Sequence, residues 1–480
     1  MNDDLRQSGA RRQSRPHYMA PPNPSAILAW SPTSPRVANP TPGAAGRRSS
    51  SGGQIRLTLK RRAGPMASDR KWQFKTKFRA NAFGWRGSNL AISRLKEAAA
   101  EIRSVAKSDP VAAGEGVVSL MERIWPAFQG IDTSSGALGG AVFRTVSELI
   151  PILTAAPADH ATRSRWLERL FEAVQNDGVE YLAPLEDRWG EIAQYPDLID
   201  EYADRMIEMV RRAWADHQTF NHVVGTSICL SCLLEGGRCA ELQELLATRR
   251  MKFWSWHRFG AEALVRQGLW ESAIAYAEAA RSVTNPGFSD TSIDRFCEKL
   301  LIDHGRSHEA YRRYGLRAAG GTTNLSVYRT LVRTYPDRDR RQVLLDLIET
   351  RGDKGKWFAA AKDSGFFDIA VECAATYGAD PSTLVRAARD FCSKQPKFAA
   401  TVALLALSSL FDGGGYDPSV SEVDDAVKHL LVASRQIGSV EWALRELGKL
   451  RERRCAPGRE PFQHAIQAAL SRWHPARPSV

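Results

Sequence analysis

Apolar residues in this chain recur at intervals of three and four along nearly its whole length. The clearest stretch runs from Trp254 to Pro286: Ala261 and Leu264 sit three apart, Gly268 interrupts, and Trp270, Ala273, Ile274, Ala277 and Ala280 resume the rhythm. That spacing predicts two amphipathic helices with a turn at Gly268, the second ended by Pro286. Small residues at 261, 273, 277 and 280 let the helices approach, while Trp270 and Ile274 fill the space between them. Upstream, Ser88 can start a helix carrying Ile92, Leu95, Ala99, Ile102 and Ala106, and Asp109-Pro110 is a strong start for one carrying Val117, Met121, Ile124 and Trp125. Further helices are expected from about Ala137, after Asp159, and from Pro196 to Asp216. No run of period-2 alternation stands out, so the fold class is all-α.

Beyond about Asn221 the breaks become regular. They fall at Gly236-Gly237, Gly268, Gly305, Tyr335-Pro336-Asp337, Gly365 and Gln395-Pro396, which are 29 to 37 residues apart. One such hairpin cannot bury its own apolar faces, so neighbours are obligatory. Ala261, Leu264, Gly268, Trp270, Ala273 and Ala280 follow in order the spacing of a tetratricopeptide motif, which the stretch resembles, although His257 stands where that motif usually opens with Trp. The resemblance implies a helical-hairpin, tetratricopeptide-like α-solenoid over 221–411, behind an N-terminal helical domain at 88–220. A glycine-rich loop, Asp412 to Pro418, precedes capping helices and a tail at 412–480. From Met66 onward the chain also resembles a group of uncharacterised bacterial proteins, through MASDRKWQFKTKFRANAFGWR, DTSSGALGGAV, EAYRRYGL, GKWFAAAKDSGFFDIA and TLVRAARDF. That resemblance implies an all-helical bacterial protein and carries no activity with it.

Charge changes the picture only at one end. The formal net charge is +12, but residues 1–65 hold eleven Arg or Lys against Asp3 and Asp4, and 66–86 hold six against Asp69, leaving 87–480 slightly acidic. Residues 1–65, rich in Pro, Ser, Arg and Gly, are expected to be disordered, and Met66 to be the true start. The arm at 66–87 interleaves Trp72, Phe74, Phe78, Phe83 and Trp85 with Lys71, Lys75, Lys77, Arg79 and Arg86. Cations can neutralise phosphates while rings stack on unpaired bases, which makes Lys71, Trp72, Lys75, Lys77 and Arg79 a candidate nucleic-acid site. The competing expectation is that the rings pack onto the first helices and the charges stay in water.

Candidate chemistry is otherwise sparse. Cys229 and Cys232, with Cys239 and His222 nearby, are ligand types that zinc accepts, yet they lie within a predicted helix among leucines, so buried cysteines and no metal are expected. Asp132, Ser134, Ser135 and Gly136 could offer backbone N–H groups to a small anion, or serve only as a helix start with Asp132 or Ser134 as its cap. Trp254, Trp256 and Trp357 are the candidate anchors for a protein or peptide on a concave repeat surface, Trp254 and Trp256 facing different ways. With no nucleophile or acid-base constellation, the sequence predicts a protein-binding scaffold without catalytic role or cofactor, nucleic-acid binding through the arm being the alternative. Seven scattered cysteines suit a reducing, cytoplasmic setting. No run of 18 apolar residues is present, and no membrane span is expected.

Overall fold

A computed structural model describes residues 70–215, 223–248, 252–281 and 290–473. Every regular element among them is helical, as the apolar spacing predicts. The expected disorder of 1–65, the proposed start at Met66 and the helix stop at Pro286 lie outside the described residues. The chain divides into two compact units, Met1–Leu269 and Trp270–Val480.

In the first unit, helices Ser88–Ala106, Pro110–Phe128 and Ala137–Ala155 pack on one another, and His160–Gln175 packs on Pro110–Phe128. Asp109 and Asp159 cap their helices as expected, accepting the N–H groups of Ala112 and Thr162 at 2.9 and 2.8 Å. Ser88 does not cap; its hydroxyl donates to the Asp132 carbonyl at 2.9 Å. Helix Ala137–Ala155 is long and apolar enough to cross a bilayer by length and composition, but half of it is buried within this unit, including Val142, Val146 and Leu149.

Two glycines of Pro110–Phe128 make room for indoles. A Cβ on Gly114 would lie 2.4 Å from the Trp166 ring, and one on Gly116 2.4 Å from Trp72. Arg163, wholly buried, closes the end of Ala137–Ala155 by donating to the Leu153 and Ala156 carbonyls and to the Gln194 amide oxygen, each at 2.7 Å. Helices Pro196–Ala215, Thr226–Glu235, Cys239–Thr248 and Trp254–Arg266 complete the unit.

The second unit holds Trp270–Ala279, Asp290–Asp303, Asn324–Thr334, Arg340–Arg351, Phe358–Asp363, Phe367–Tyr377, Pro381–Phe391, Pro396–Phe411, Val420–Gln436, Val440–Glu452 and Glu460–Trp473. The anticipated breaks at Gly268, Gly305 and Gly365 all have positive φ, between +72° and +84°, the left-handed conformation that ends a helix cheaply only at glycine. The segment EAYRRYGL departs from the expected α-helix: Tyr311–Gly315 is a π-helical turn between Ser307–Ala310 and Leu316–Ala318.

Among side-chain bonds that span from 23 to 54 residues, a subset within each unit spans 31 to 37. In the first, Tyr202 donates to Glu168, 34 residues away, Arg238 to Asp204 at 34, and Arg266 to Glu235 at 31. In the second, Arg306 reaches Glu271 at 35, Tyr311 reaches Asp346 at 35, Tyr335 reaches Glu298 at 37, and Asn324 reaches the Lys356 carbonyl at 32.

The glycine notches set opposite expectations for two alanine substitutions. Gly116→Ala drives a methyl into the buried Trp72 ring and should destabilise by about 1–3 kcal/mol. Gly448→Ala, inside Val440–Glu452 with no atom within 4 Å of its Cβ position, should stabilise by about 0.5–1 kcal/mol. Urea unfolding followed by circular dichroism checks both signs.

Candidate functional site

The second unit carries two open grooves at opposite kinds of turn. The larger, about 650 Å³, lies where one hairpin gives way to the next. Its walls are Asp353 to Lys356, Tyr377 to Pro381 and the loop Gly414 to Tyr416. Glycines set its shape: a Cβ on Gly355 would fall 1.7 Å from the Gly378 carbonyl oxygen, so the two backbones meet directly. Lys354 donates to Glu349 at 2.6 Å and sits 5.0 Å above the Tyr377 ring. Asp380 caps Pro381–Phe391 by accepting the Thr383 N–H at 2.9 Å. Tyr377 is exposed and Tyr416 fully so, an arrangement that presents two aromatic faces to a visitor.

The smaller groove, about 470 Å³, lies at turns inside hairpins, between Ser307–Tyr311 and Asp337–Asp346. The Tyr311 hydroxyl donates to Asp346 Oδ2 at 2.6 Å, while Gln342 Nε2 donates to Asp346 Oδ1 at 2.8 Å. The Arg338 guanidinium lies 3.8 Å from the centre of the Tyr311 ring, and Tyr335 meets that ring edge-on at 5.1 Å. Burial and the carboxylate of Asp346 push the Tyr311 phenol well above its ordinary range, so it keeps the proton it donates to Asp346. Asp339 caps Arg340–Arg351 through the Gln342 N–H at 2.7 Å.

The tryptophans expected to anchor a partner are core residues. Trp254 is 7% exposed, Trp256 8% and Trp357 1%. The helix Trp254–Arg266 is covered on two sides, by Cys239–Thr248 and Thr226–Glu235, which lets both indoles bury although they are two apart. Trp256 rests on Trp214 at 5.1 Å and Phe253 at 5.3 Å. Trp357 ends a 3₁₀ turn, Lys354–Trp357, packed under Phe367–Tyr377. Trp270, by contrast, is half-buried and stacks on His304 at 4.3 Å.

The basic arm divides in the same way. Trp72 is 4% exposed and cannot stack on a base; with Phe74, Phe78 and Phe83 it forms a buried aromatic row reaching Phe128. Lys77 pairs with Glu97 at 2.7 Å, Lys75 is half-buried, and Lys71 and Arg79 stay exposed. Trp85, 67% exposed, is the ring this arm leaves in solvent.

At the 132–136 turn the Ser134 N–H donates to Asp132 Oδ1 at 2.9 Å, and that backbone bond holds the Asp132 carboxyl below its usual range. The Ala137 N–H turns to Ser135 Oγ at 3.4 Å, and Gly136 at φ +68° leads into the helix, so neither Asp132 nor Ser134 is its N-cap. The Asp132 backbone is tied outward as well, its carbonyl accepting from Ser88 and its N–H donating to the Trp85 carbonyl at 2.9 Å. Cys229 and Cys232 are buried helix residues, and burial pushes the Cys229 thiol up to about 12. Among the described residues no group of three or more His, Cys, Asp or Glu is placed to hold a metal. The smaller groove escaped sequence reading because its partners lie 35 residues apart; the signal available was two hairpin turns, each with an aromatic followed by polar residues.

No family model matches the chain, and no curated protein matches it. What stands is an all-helical protein of two compact units.

One carboxyl titrates in an unusual range. Burial pushes Glu186 up to about 8, with Asp187, Glu180 and Asp177 adding to the shift and the Gly225 N–H, donating at 3.1 Å, opposing it. Between pH 4.5 and 8 the folded chain therefore keeps a proton that the unfolded chain loses. Stability from this group is complete below pH 4.5 and falls, by on the order of 5 kcal/mol, as pH rises through 8. Glu186→Gln should flatten that slope in urea titrations run from pH 5 to 9.

Proposed function

We propose that the protein is a helical-repeat scaffold that binds a protein or peptide on the grooves of its second unit, without a catalytic role of its own. The observation that carries this reading is the recurrence of polar side-chain bonds at separations of 31 to 37 residues within the units. In stacked helical hairpins each repeat touches the next, and such cross-links between equivalent turns follow from the stacking. The tetratricopeptide-like spacing around Gly268 agrees with this: Ala261, Ala273, Ala277 and Ala280 are all buried. The partner surface is the larger groove with Tyr377 and Tyr416, rather than the buried indoles. All seven cysteines are free thiols, which supports a reducing, cytoplasmic setting. The resemblance to uncharacterised bacterial proteins agrees with such a scaffold and adds no partner.

Nucleic-acid binding through residues 70–86 is the second reading, resting on exposed Trp85 and the exposed Arg79 and Arg86 of the same arm.

Affinity capture with the whole chain, with and without nuclease and at low and high salt, separates the two. A stoichiometric protein that survives nuclease and salt, and is lost from a Tyr377→Ala, Tyr416→Ala variant, is the expected result. Recovery of RNA or single-stranded DNA only at low salt, abolished by alanine at Lys71, Lys75, Lys77 and Arg79, would transfer the function to the arm. An empty bait would end the scaffold reading.

A further inference from the structure

Helix Asn324–Thr334, NLSVYRTLVRT, contains no acidic residue. Val327, Tyr328 and Leu331 bury one side of it, and Arg329 and Arg333, four apart, stand exposed on the other. The preceding helix Asp290–Asp303 repeats the arrangement in the same register. Ile293, Asp294 and Cys297 are its buried positions, and Arg295 and Lys299, 34 residues before Arg329 and Arg333, are its exposed cations. The two helices run side by side. Arg295 reaches the approach to the second, where a Cβ on Gly320 would lie 2.6 Å from its Nη2, and Glu298 meets the exit, accepting from Tyr335 at 2.8 Å. Equivalent faces of successive hairpins thus form one cationic surface.

Unpaired arginines alone would mean little, but at one edge of this surface the chain fastens two guanidiniums to a single helix end. Arg295 Nε donates to the Ala318 carbonyl at 3.0 Å, and Arg351 donates to the Leu316 and Ala319 carbonyls at 2.9 and 2.6 Å. Burial, and then the neighbouring charge of Arg295, hold the Arg351 guanidinium below its ordinary range. The carbonyls satisfy part of each guanidinium and supply no full negative charge. Among the described residues Arg295, Arg329, Arg333 and Arg351 have no ion-pair partner. The four acids of the first helix are engaged elsewhere: Asp290 and Asp294 with Arg281, Glu298 with Tyr335, and Asp303 with Lys299. Two pinned forks whose mutual repulsion an anion would relieve are prepared for a carboxylate.

Aliphatic surface lies among the cations. Leu325 and Val332 flank Arg329, and Ile302 follows Lys299 by one turn, each half-buried. The aromatics of these helices, Phe296 and Tyr328, are half-buried and buried, so neither offers a free face to a base. Asn324 donates to the Lys356 carbonyl at 3.2 Å, and Lys356 walls the larger groove, so this surface and that groove adjoin.

We propose that the surface receives an acidic segment of a partner protein, its carboxylates meeting Arg295, Arg329, Arg333 and Arg351. The inference rests on the scaffold reading for its partner and deepens it by naming the partner's charge. Charge complementarity excludes a basic segment, and the aliphatic patches between the cations fit side chains rather than bases.

Fluorescence anisotropy of the whole chain with a fluorescein-labelled Gly-Ser decapeptide carrying four glutamates should show saturable, salt-sensitive binding, absent when glutamine replaces glutamate. Arg329→Gln together with Arg333→Gln should weaken it about tenfold. Both side chains are exposed and make no printed bond that the fold needs, so circular dichroism should be unchanged. Lys397→Gln with Lys428→Gln removes the same charge from exposed sites elsewhere in the unit and should change nothing. Arg329→Glu with Arg333→Glu should reject the glutamate peptide and bind its lysine counterpart.

Equal binding by the glutamine peptide, no loss on the Arg329 and Arg333 substitutions, or equal loss on the lysine control would overturn the proposal. So would an oligouridylate that displaces the peptide and weakens on the same substitutions, because the surface would then serve nucleic acid. A captured partner kept by the Arg329→Gln, Arg333→Gln variant, with the glutamate peptide unbound, would remove this surface and leave the scaffold. An empty bait with peptide binding intact would do the reverse.

Discussion

A helical hairpin of about thirty residues has apolar residues on both flanks and only one other helix of its own to cover them, so it is incomplete until the next hairpin arrives. Within each unit that constraint decides where polar groups can go. Side chains near helix ends reach neighbouring helices, as Arg238 does to Asp204, 34 residues away, and Arg306 to Glu271, 35 away. Those bonds lie at the margins, in half-exposed positions where each contributes modestly. Between them run alanine-rich seams such as Ala399, Ala400, Ala403 and Ala406, wholly buried in Pro396–Phe411. The apolar seam supplies stability and the polar margin supplies register.

Where a charge does enter the interior, its terminal groups find oxygen partners, although Arg163 Nε has none. Arg163 satisfies three oxygens at the end of one helix, and Asp294 is gripped by Arg281 and Arg317. A lone buried charge would cost several kcal/mol, whereas these groups convert that cost into fixed geometry.

Helix existence and turn position were legible because they depend on local chemistry. Gly268, Gly305 and Gly365 take the left-handed conformation their places in the pattern demand, and Asp109 and Asp159 cap as their spacing implies. Burial of the aromatic arm was legible in part: Phe74 and Phe78 are four apart, while the notch at Gly116 in Pro110–Phe128 that admits the Trp72 ring is set only by tertiary packing. Trp254, Trp256 and Trp357 misled because an aromatic at helical spacing reads the same whether a neighbour covers it or solvent does. The π-helical turn at Tyr311 left no trace, since one extra residue in a turn barely disturbs a 3.6-residue rhythm. The groove itself depends on pairs such as Tyr311 and Asp346 that only tertiary packing brings together.

The meeting of Gly355 with the Gly378 carbonyl has an evolutionary consequence. Both residues stand at the rim of an open groove, where drift is ordinarily free, yet any side chain at 355 would wedge two backbone segments apart and reshape the groove. Such a site is surface by location and core by tolerance. In a population of diverging descendants it would stay fixed while its solvent-facing neighbours wandered, so the width of this groove is heritable in a way that the identity of the residues decorating it is not.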